Sequence, residues 1–357
     1  MSGVAAPLRV YWELTRACDL ACRHCRAEAH PDRGVDELTT DECREVLRDL
    51  ATAIAPPPHV IFTGGDPLKR PDLGALVREA AGLGLGVSVA PSATTRLTAD
   101  VVGELKAAGV EGMSVSLDGA TAARHDGIRG VPGCFDMTLR AAGSIVAAGI
   151  PLQINTLVCR ETVDDLEAIA ALVAGIGARR WSLFFLIAVG RGRVLTPLSA
   201  AEAERTLEWA ASQAGRRPFV TSTTEAPHYR RIVVQRLRRA GRSVEQIRRS
   251  PVGRGFGVRD GSGILFIAAN GDVTPSGFLP LVVGNVRRTR AAVLYRDDPV
   301  FRALRAPETF RGRCGACAFH ALCGGSRARA WATTGDVLGE DPLCAWESDA
   351  AGEGGRS

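Results

Sequence analysis

The chain has 357 residues, 46% of them apolar, enough to bury one large domain with a smaller one attached. Its net charge of +5 is almost all arginine, since Lys69 and Lys106 are the only lysines, and no dense basic block interleaves with aromatics as a nucleic-acid groove requires. The most apolar stretch, 168–178, is too short to cross a bilayer, and the N-terminus lacks the charged-then-apolar pattern of a secretory signal. Most of the ten cysteines fall in tight, metal-type clusters, which points away from disulfides and toward a reducing cytosol.

The first strand-like run, 8–14, leads into Cys18-x3-Cys22-x2-Cys25, three thiols within eight residues. Three thiolates on one loop can hold three irons of a cubane cluster and leave the fourth iron open to another ligand. Structural zinc takes four protein ligands, and no fourth Cys or paired His stands nearby. Downstream, apolar runs at 59–62, 86–90, 112–117, 151–158 and 181–187 read as strands, alternating with helical patterns at 40–54, 70–83, 98–108, 134–148 and 163–176. Thr39, with Asp41 and Glu42 behind it, supplies a helix start. Six β–α alternations predict parallel strands with right-handed crossovers, in a doubly wound sheet or a partial barrel. Either architecture puts chemistry at the carboxyl ends of the strands, where the three cysteines fall.

Other strand ends carry polar motifs. Strand two ends in Thr63-Gly64-Gly65-Asp66-Pro67, where paired glycines let backbone approach a ligand and leave N–H groups to donate; on its own the run is also an ordinary turn. Strand four ends in Ser114-Val-Ser116-Leu-Asp118-Gly119, an alternation that aims polar side chains at one face, although Asp-Gly is also a plain turn. His125-Asp126-Gly-Ile-Arg129 follows, and strand five places Asn155 inward, where neighbours alone could satisfy it. Cys43, Cys134 and Cys159 stand apart and read as packing.

From 199 to 246 the pattern is helical and arginine-rich, the reading of a solvated helix face. Beyond 250 it turns glycine-rich, with hairpin-like stretches at 264–268 and 281–286, then Cys314-x2-Cys317-x5-Cys323 and a distal Cys344. Four thiols so spaced ligate either one [4Fe–4S] cluster or one zinc. The predicted divisions are a β/α domain over 1–195, a helical bridging segment over 196–250, a Cys-rich domain over 251–346 and a polar tail over 347–357.

From Val10 to Cys344 the chain resembles the radical S-adenosylmethionine (SAM) enzymes, whose signature is Cys-x3-Cys-x2-Cys after a first strand. The resemblance implies an α/β fold, a partial (β/α)6 TIM-type barrel followed by a small Cys-rich domain. It implies a [4Fe–4S] cluster on Cys18, Cys22 and Cys25, with the amino and carboxylate groups of SAM on the open iron. Reductive cleavage of SAM then yields methionine and a 5′-deoxyadenosyl radical that takes hydrogen from the substrate. By the same resemblance Gly64, Gly65, Asp66 and Pro67 serve the methionyl amino group, Ser116, Asp118 and Arg129 the SAM carboxylate and ribose, and Asn155 the nucleoside. Asp66 stands where the family has Glu, and His24 where most members carry an aromatic residue.

Cys314, Cys317, Cys323 and Cys344 resemble the SPASM auxiliary domain of that family and imply one auxiliary [4Fe–4S] cluster; the family's second auxiliary cluster needs Cys where this chain has Ser276 and Arg327. Trp12-Glu-Leu-Thr-Arg and Cys323-Gly-Gly-Ser-Arg327-Ala-Arg329 most resemble a haem-biosynthesis branch, whose members act on propionate side chains of modified tetrapyrroles. Arg191, Arg193, Arg230, Arg231 and Arg259 would then meet carboxylates, and Glu225, His228, Tyr229 and Asp260 are candidates for acid–base work. A flavodoxin- or ferredoxin-type electron donor is implied, with no nucleic-acid or membrane partner. The rivals are a ribosomal-peptide maturase, which the short stretch ahead of strand one weighs against, a radical epimerase or dehydrogenase of a sugar-like molecule, and a non-catalytic metal scaffold.

Overall fold

The computed structural model describes residues 6–250, 252–255 and 257–347, so positions 348–357 of the expected tail lie outside the described residues. Its strands are β1 (Arg9–Glu13), β2 (His59–Thr63), β3 (Gly86–Val89), β4 (Gly112–Ser116), β5 (Leu152–Val158), β6 (Arg180–Phe185), β7 (Val220–Thr224), β8 (Ile264–Ile267), β9 (Asp272–Thr274) and β10 (Gly284–Asn285). They form one sheet in the order β10-β9-β8-β1-β2-β3-β4-β5-β6-β7. Every pair from β8 to β7 is parallel, and β9 and β10 join antiparallel at one edge. The parallel β/α arrangement is that of a partial barrel.

Side-chain alternation explains the two faces. In β4, Met113 and Val115 are buried under helices while Ser114 and Ser116 are half-buried on the other side. In β5, Leu152 and Ile154 face the helices while Gln153 and Asn155 share the polar side. Outer helices cover the apolar face; Thr40–Ala53 contributes Cys43, Val46, Leu47 and Leu50. Thr39 and Glu42, and likewise Ser199 and Glu202, form capping boxes at helix starts, each worth about 1 kcal/mol. Among the described residues no helix is long and apolar enough to cross a membrane.

The six strands expected from the apolar runs are present, but the sheet does not stop there. β7 lies inside the segment expected to be helical and pairs in parallel with β6. Its sequence Val-Thr-Ser-Thr-Thr is hydroxylic and only half-buried, so it carries no apolar run to signal a strand. β8 comes from the Cys-rich part and pairs in parallel with β1, so the sheet runs through both expected boundaries. A short polar helix, Ala122–Arg129, also escaped the periodicity.

Arg70 joins the ends of the long cysteine loop. Its buried guanidinium donates to the carbonyls of Leu14 (3.2 Å) and Leu38 (2.8 Å) and pairs with Asp72 through Nε (2.8 Å). Truncating one partner of such a buried pair strands the other charge. Arg70→Ala is therefore expected to lower unfolding stability by about 3 kcal/mol in a urea titration; a loss within experimental error would refute this role.

Candidate functional site

Residues 14–39 form a loop with almost no regular structure, and the carboxyl ends of the strands hold it by its backbone. An isolated bridge links Ala17 to His30, and the Cys18 N–H donates to the His30 carbonyl at 2.8 Å. Gly65 and Asp66 donate their N–H groups to the carbonyls of Thr15 (2.8 Å) and Ala17 (2.7 Å). A Cβ on Gly65 would stand 2.5 Å from the Ala17 oxygen, and one on Gly190 2.7 Å from the Cys25 oxygen. Gly190 has φ of +53°, so glycine is required there twice over. Arg191 then bonds the carbonyls of Cys22 and Ala29, both at 3.0 Å. These contacts leave N–H donors on two of the sulfurs, Leu20 to Cys18 and Ala29 to Cys25, each at 3.4 Å.

Beside the loop opens a cleft of about 560 Å³, counting the part open to solvent. Gly64, Gly65, Ser116, Arg129 and Asn155 line it, together with Ser92 and Ser114. Five of the eight residues expected to contact SAM thus line one cleft. The other three face elsewhere. Pro67 is buried at the start of a 3-10 turn. The Asp66 carboxylate is enclosed and accepts from Leu68 N–H (3.1 Å), Ser92 N–H (3.3 Å) and the Thr94 hydroxyl (3.3 Å); burial raises its pKa to about 6. Asp118 is buried, accepts from Leu157 N–H at 2.7 Å and pairs with Arg129 at 2.5 Å. The shortened acid in Gly-Gly-Asp-Pro therefore organises the β3 loop, and Asp118 orients the arginine on the cleft wall.

The Arg129 guanidinium also approaches Cys22 Sγ at 3.7 Å, and its Nε is enclosed without a partner. Burial works against both charges of the Asp118–Arg129 pair, yet each holds the other ionised. His24 has an enclosed Nδ1 without a partner, and burial beside Arg129 lowers its pKa to about 4. Ser92 joins Cys18 Sγ to the Gly65 carbonyl at 3.4 and 3.0 Å, and sequence reasoning missed it because the loop after β3 carries no motif. Cys134 is buried as expected, but against Cys18 and Cys22 and on the cleft wall.

The four C-terminal thiols line a second cavity of about 410 Å³, again counting open space, with Arg231, Arg313, Asp341 and Trp346. Among the described residues no three His, Cys, Asp or Glu side chains form a group that could hold a single metal ion. N–H groups reach the sulfurs here too: Phe319 to Cys317 (3.3 Å), Gly325 to Cys323 (3.4 Å) and Asp341 to Cys314 (3.4 Å). Gly324 and Gly325 both adopt left-handed φ, and a Cβ on Gly325 would lie 3.0 Å from Cys314 Sγ. Arg327, wholly buried, stacks 4.5 Å from the Phe310 ring and extends Nη2 to Cys314 Sγ at 3.5 Å. Arg259 is buried over the same ring, and its guanidinium bonds the Gly257 and Leu304 carbonyls. Neither has a carboxylate partner among the described residues, so an anionic thiolate-bound group suits the site. Ser276 is buried and accepts from Phe278 N–H.

The remaining candidates take structural positions. Asp260 accepts from the Arg327 and Ala328 N–H groups, both at 3.0 Å, capping the helix Arg327–Thr334. Glu225 accepts from Ser326, and burial with Asp260 alongside raises its pKa well above the carboxylate range. Tyr229 belongs to the main core, and His228 is fully buried with its pKa pushed down to about 4. Of the arginines expected to await carboxylates, Arg191 binds the cysteine loop, Arg231 pairs with Glu204 at 2.6 Å, Arg230 and Arg259 lie near Cys323, and Arg193 is exposed.

The family model of the Radical SAM superfamily matches residues 12–173. The chain is 40% identical over 340 residues to the AdoMet-dependent heme synthase of Nitratidesulfovibrio vulgaris strain Hildenborough, covering 95% of this chain and 92% of that protein. It is 31% identical to the pre-heme d1 synthase of Dinoroseobacter shibae, covering 96% and 87%. The crystal structure of Streptococcus suis SuiB bound to S-adenosylmethionine has the same fold, with a TM-score of 0.74 at 17% identity over 96% of this chain and 78% of that one.

His125 supplies a pH test of the cleft wall. Its Nδ1 accepts the Asp118 N–H at 3.0 Å, and burial lowers its pKa from 6.5 to about 4. A depressed folded-state value means stability that is present above pH 6.5 and lost as pH falls through 4. The loss amounts to about 3 kcal/mol at most. His125→Asn, which keeps an acceptor at that place, should flatten this decline in urea unfolding measured across the range. An unchanged slope would show that the imidazole stays out of the balance.

Proposed function

Because the chain belongs to the radical SAM superfamily, we propose that it is an oxidoreductase of haem biosynthesis that modifies propionate side chains of a tetrapyrrole. The observation that carries this reading is the cleft itself, where a loop of three thiols meets Gly64, Gly65, Ser116, Arg129 and Asn155 around a space of about 560 Å³. Similarity to a heme synthase along 95% of the chain supports the substrate class. In this reading Cys18, Cys22 and Cys25 hold a [4Fe–4S] cluster, and the cleft residues hold SAM. The chemistry supplied with the cluster bound is reductive cleavage of SAM to methionine and a 5′-deoxyadenosyl radical, which takes hydrogen from the substrate.

This chain's own residues then divide the remaining work. Gly64 and Gly65 bring the strand end against the loop, and Ser116 and Asn155 present hydroxyl and amide groups to the nucleoside. Arg129, held by Asp118, meets the SAM carboxylate. Cys314, Cys317, Cys323 and Cys344 hold an auxiliary [4Fe–4S] cluster, a reading supported by the N–H groups on their sulfurs and by the unpaired guanidinium groups of Arg259 and Arg327. Ser276 and Arg327, buried in the protein's own bonding, fit one auxiliary cluster rather than two. The electron donor is a flavodoxin- or ferredoxin-type protein, and the thiol sets suit a cytosolic, reducing compartment.

Anaerobic reconstitution tests the assignment. The wild type should bind about two [4Fe–4S] clusters and, when reduced, form deoxyadenosine faster in the presence of a propionate-bearing tetrapyrrole, with a change in that compound's mass. Cys22→Ala should abolish deoxyadenosine formation while the C-terminal irons stay. Cys317→Ala should remove roughly four irons and leave SAM cleavage measurable. Undiminished SAM cleavage in the first variant, or undiminished iron in the second, would overturn the corresponding site.

A further inference from the structure

Next to the third thiol of the loop, Arg26 enters an aromatic enclosure to which the cleft and the C-terminal thiols make no claim. Its guanidinium lies 4.5 Å from the centre of the Phe266 ring and 5.9 Å from that of Phe278. Phe278 in turn meets Phe184 edge-on at 6.4 Å. These rings come from β8, from the turn after β9 and from the end of β6, and in the sheet order β8 and β6 flank the run β1–β5. Gly277 makes room for it, since a Cβ there would stand 2.9 Å from the Arg26 guanidinium carbon. The Arg26 side chain keeps 20% of its surface exposed, and Phe184 and Phe278 are half-buried, so a ligand can reach them.

Charge and hydrogen bonding also point outward. Buried Glu13, the last residue of β1, pairs with Arg26 at 3.1 Å and with Arg16 at 3.3 Å. One carboxylate between two guanidinium groups leaves a surplus positive charge at this rim. The bond to Glu13 occupies one Arg26 nitrogen, and a guanidinium stacked on a ring still offers its remaining N–H groups in its own plane. A flat aromatic body bearing carboxylates matches both halves of the enclosure, stacking on the rings and bridging to the fork.

We propose that Arg26, backed by Phe266, forms the substrate subsite with Phe184 and Phe278, in which Arg26 holds a propionate and the rings of Phe184 and Phe278 bear on the macrocycle. Arg26 is a positioning residue, and the inference rests on the tetrapyrrole reading of the function. Binding of coproporphyrin, a propionate-bearing tetrapyrrole, to the reconstituted enzyme is followed by fluorescence quenching, with its methyl ester as the uncharged probe. Arg26→Gln should weaken binding of the acid about tenfold, leave the ester unchanged and raise KM more than it lowers kcat. Arg26→Lys should recover part of the preference for acid over ester. Phe278→Ala, which removes no hydrogen bond to the cysteine loop, should weaken acid and ester alike. If the wild type binds neither probe, the tetrapyrrole reading falls. If the wild type binds and both Arg26→Gln and Phe278→Ala bind equally well, the subsite is wrong while that reading stands. Should Arg26→Gln lose iron or SAM binding, Phe278→Ala decides alone.

Discussion

The site depends on backbone meeting backbone at distances that exclude a side chain. An irregular loop of more than twenty residues has no ladder of its own to hold it, and its polar groups must find partners elsewhere. Here Gly64 and Gly65 at the end of β2, Gly130 at the end of a helix and Gly190 after β6 each press against loop carbonyls, with Cβ positions that would fall 2.4 to 2.7 Å from them. Three separated pieces of the barrel thus converge on one segment. The thiols are fixed by proxy, since no strand carries them. Arg191 and Arg70 complete the fastening with guanidinium forks to main-chain carbonyls.

Charge balance governs the other end of the molecule. Arg259 and Arg327 are buried beside cysteine and aromatic rings, and neither forms a salt bridge among the described residues, a costly arrangement unless an anion sits near them. Burial holds the pKa of Arg259 down at about 10, the direction expected of a cation waiting for its counter-charge. Around the N-terminal loop the opposite holds: Arg26, Arg129 and Arg33 each have a carboxylate at hand. The two thiol sets therefore sit in different surroundings, one whose neighbouring Arg26, Arg33 and Arg129 have carboxylate partners and one where Arg259 and Arg327 form no salt bridge among the described residues.

Much of this was legible from residue order. Apolar runs at the period of strands and helices located β1 to β6 and five of the six helices between them, because those strands are buried on one face by a continuous core. The cysteine spacings marked both thiol sets for the same reason that spacing matters to chemistry: ligands on one short loop must lie close together. Long-range placement was not legible. β7 is hydroxylic and carries no apolar signal, and the pairing of β8 with β1 depends on the whole sheet having curved. Asp66 stands out in the sequence because it follows two glycines where the family has Glu, but that its carboxylate serves Ser92 and Thr94 is something only the fold reveals. Arg26 belonged to no motif, and only the meeting of β8, the turn after β9 and β6 gathers rings beside it.

The position of β1 between β2 and β8 carries an implication for biosynthesis. Its hydrogen-bonding partners on one side are made early, while those on the other are among the last third of the polypeptide to leave the ribosome. Until then one flank of the first strand lacks its neighbour, and Leu38, at the loop's far end, lacks the Ala269 carbonyl it will bond. Such late, distant closure is slow and exposes an unpaired edge to other chains. The loop that carries the first thiol set therefore gains its last backbone partner only once residues 264–269 have been made.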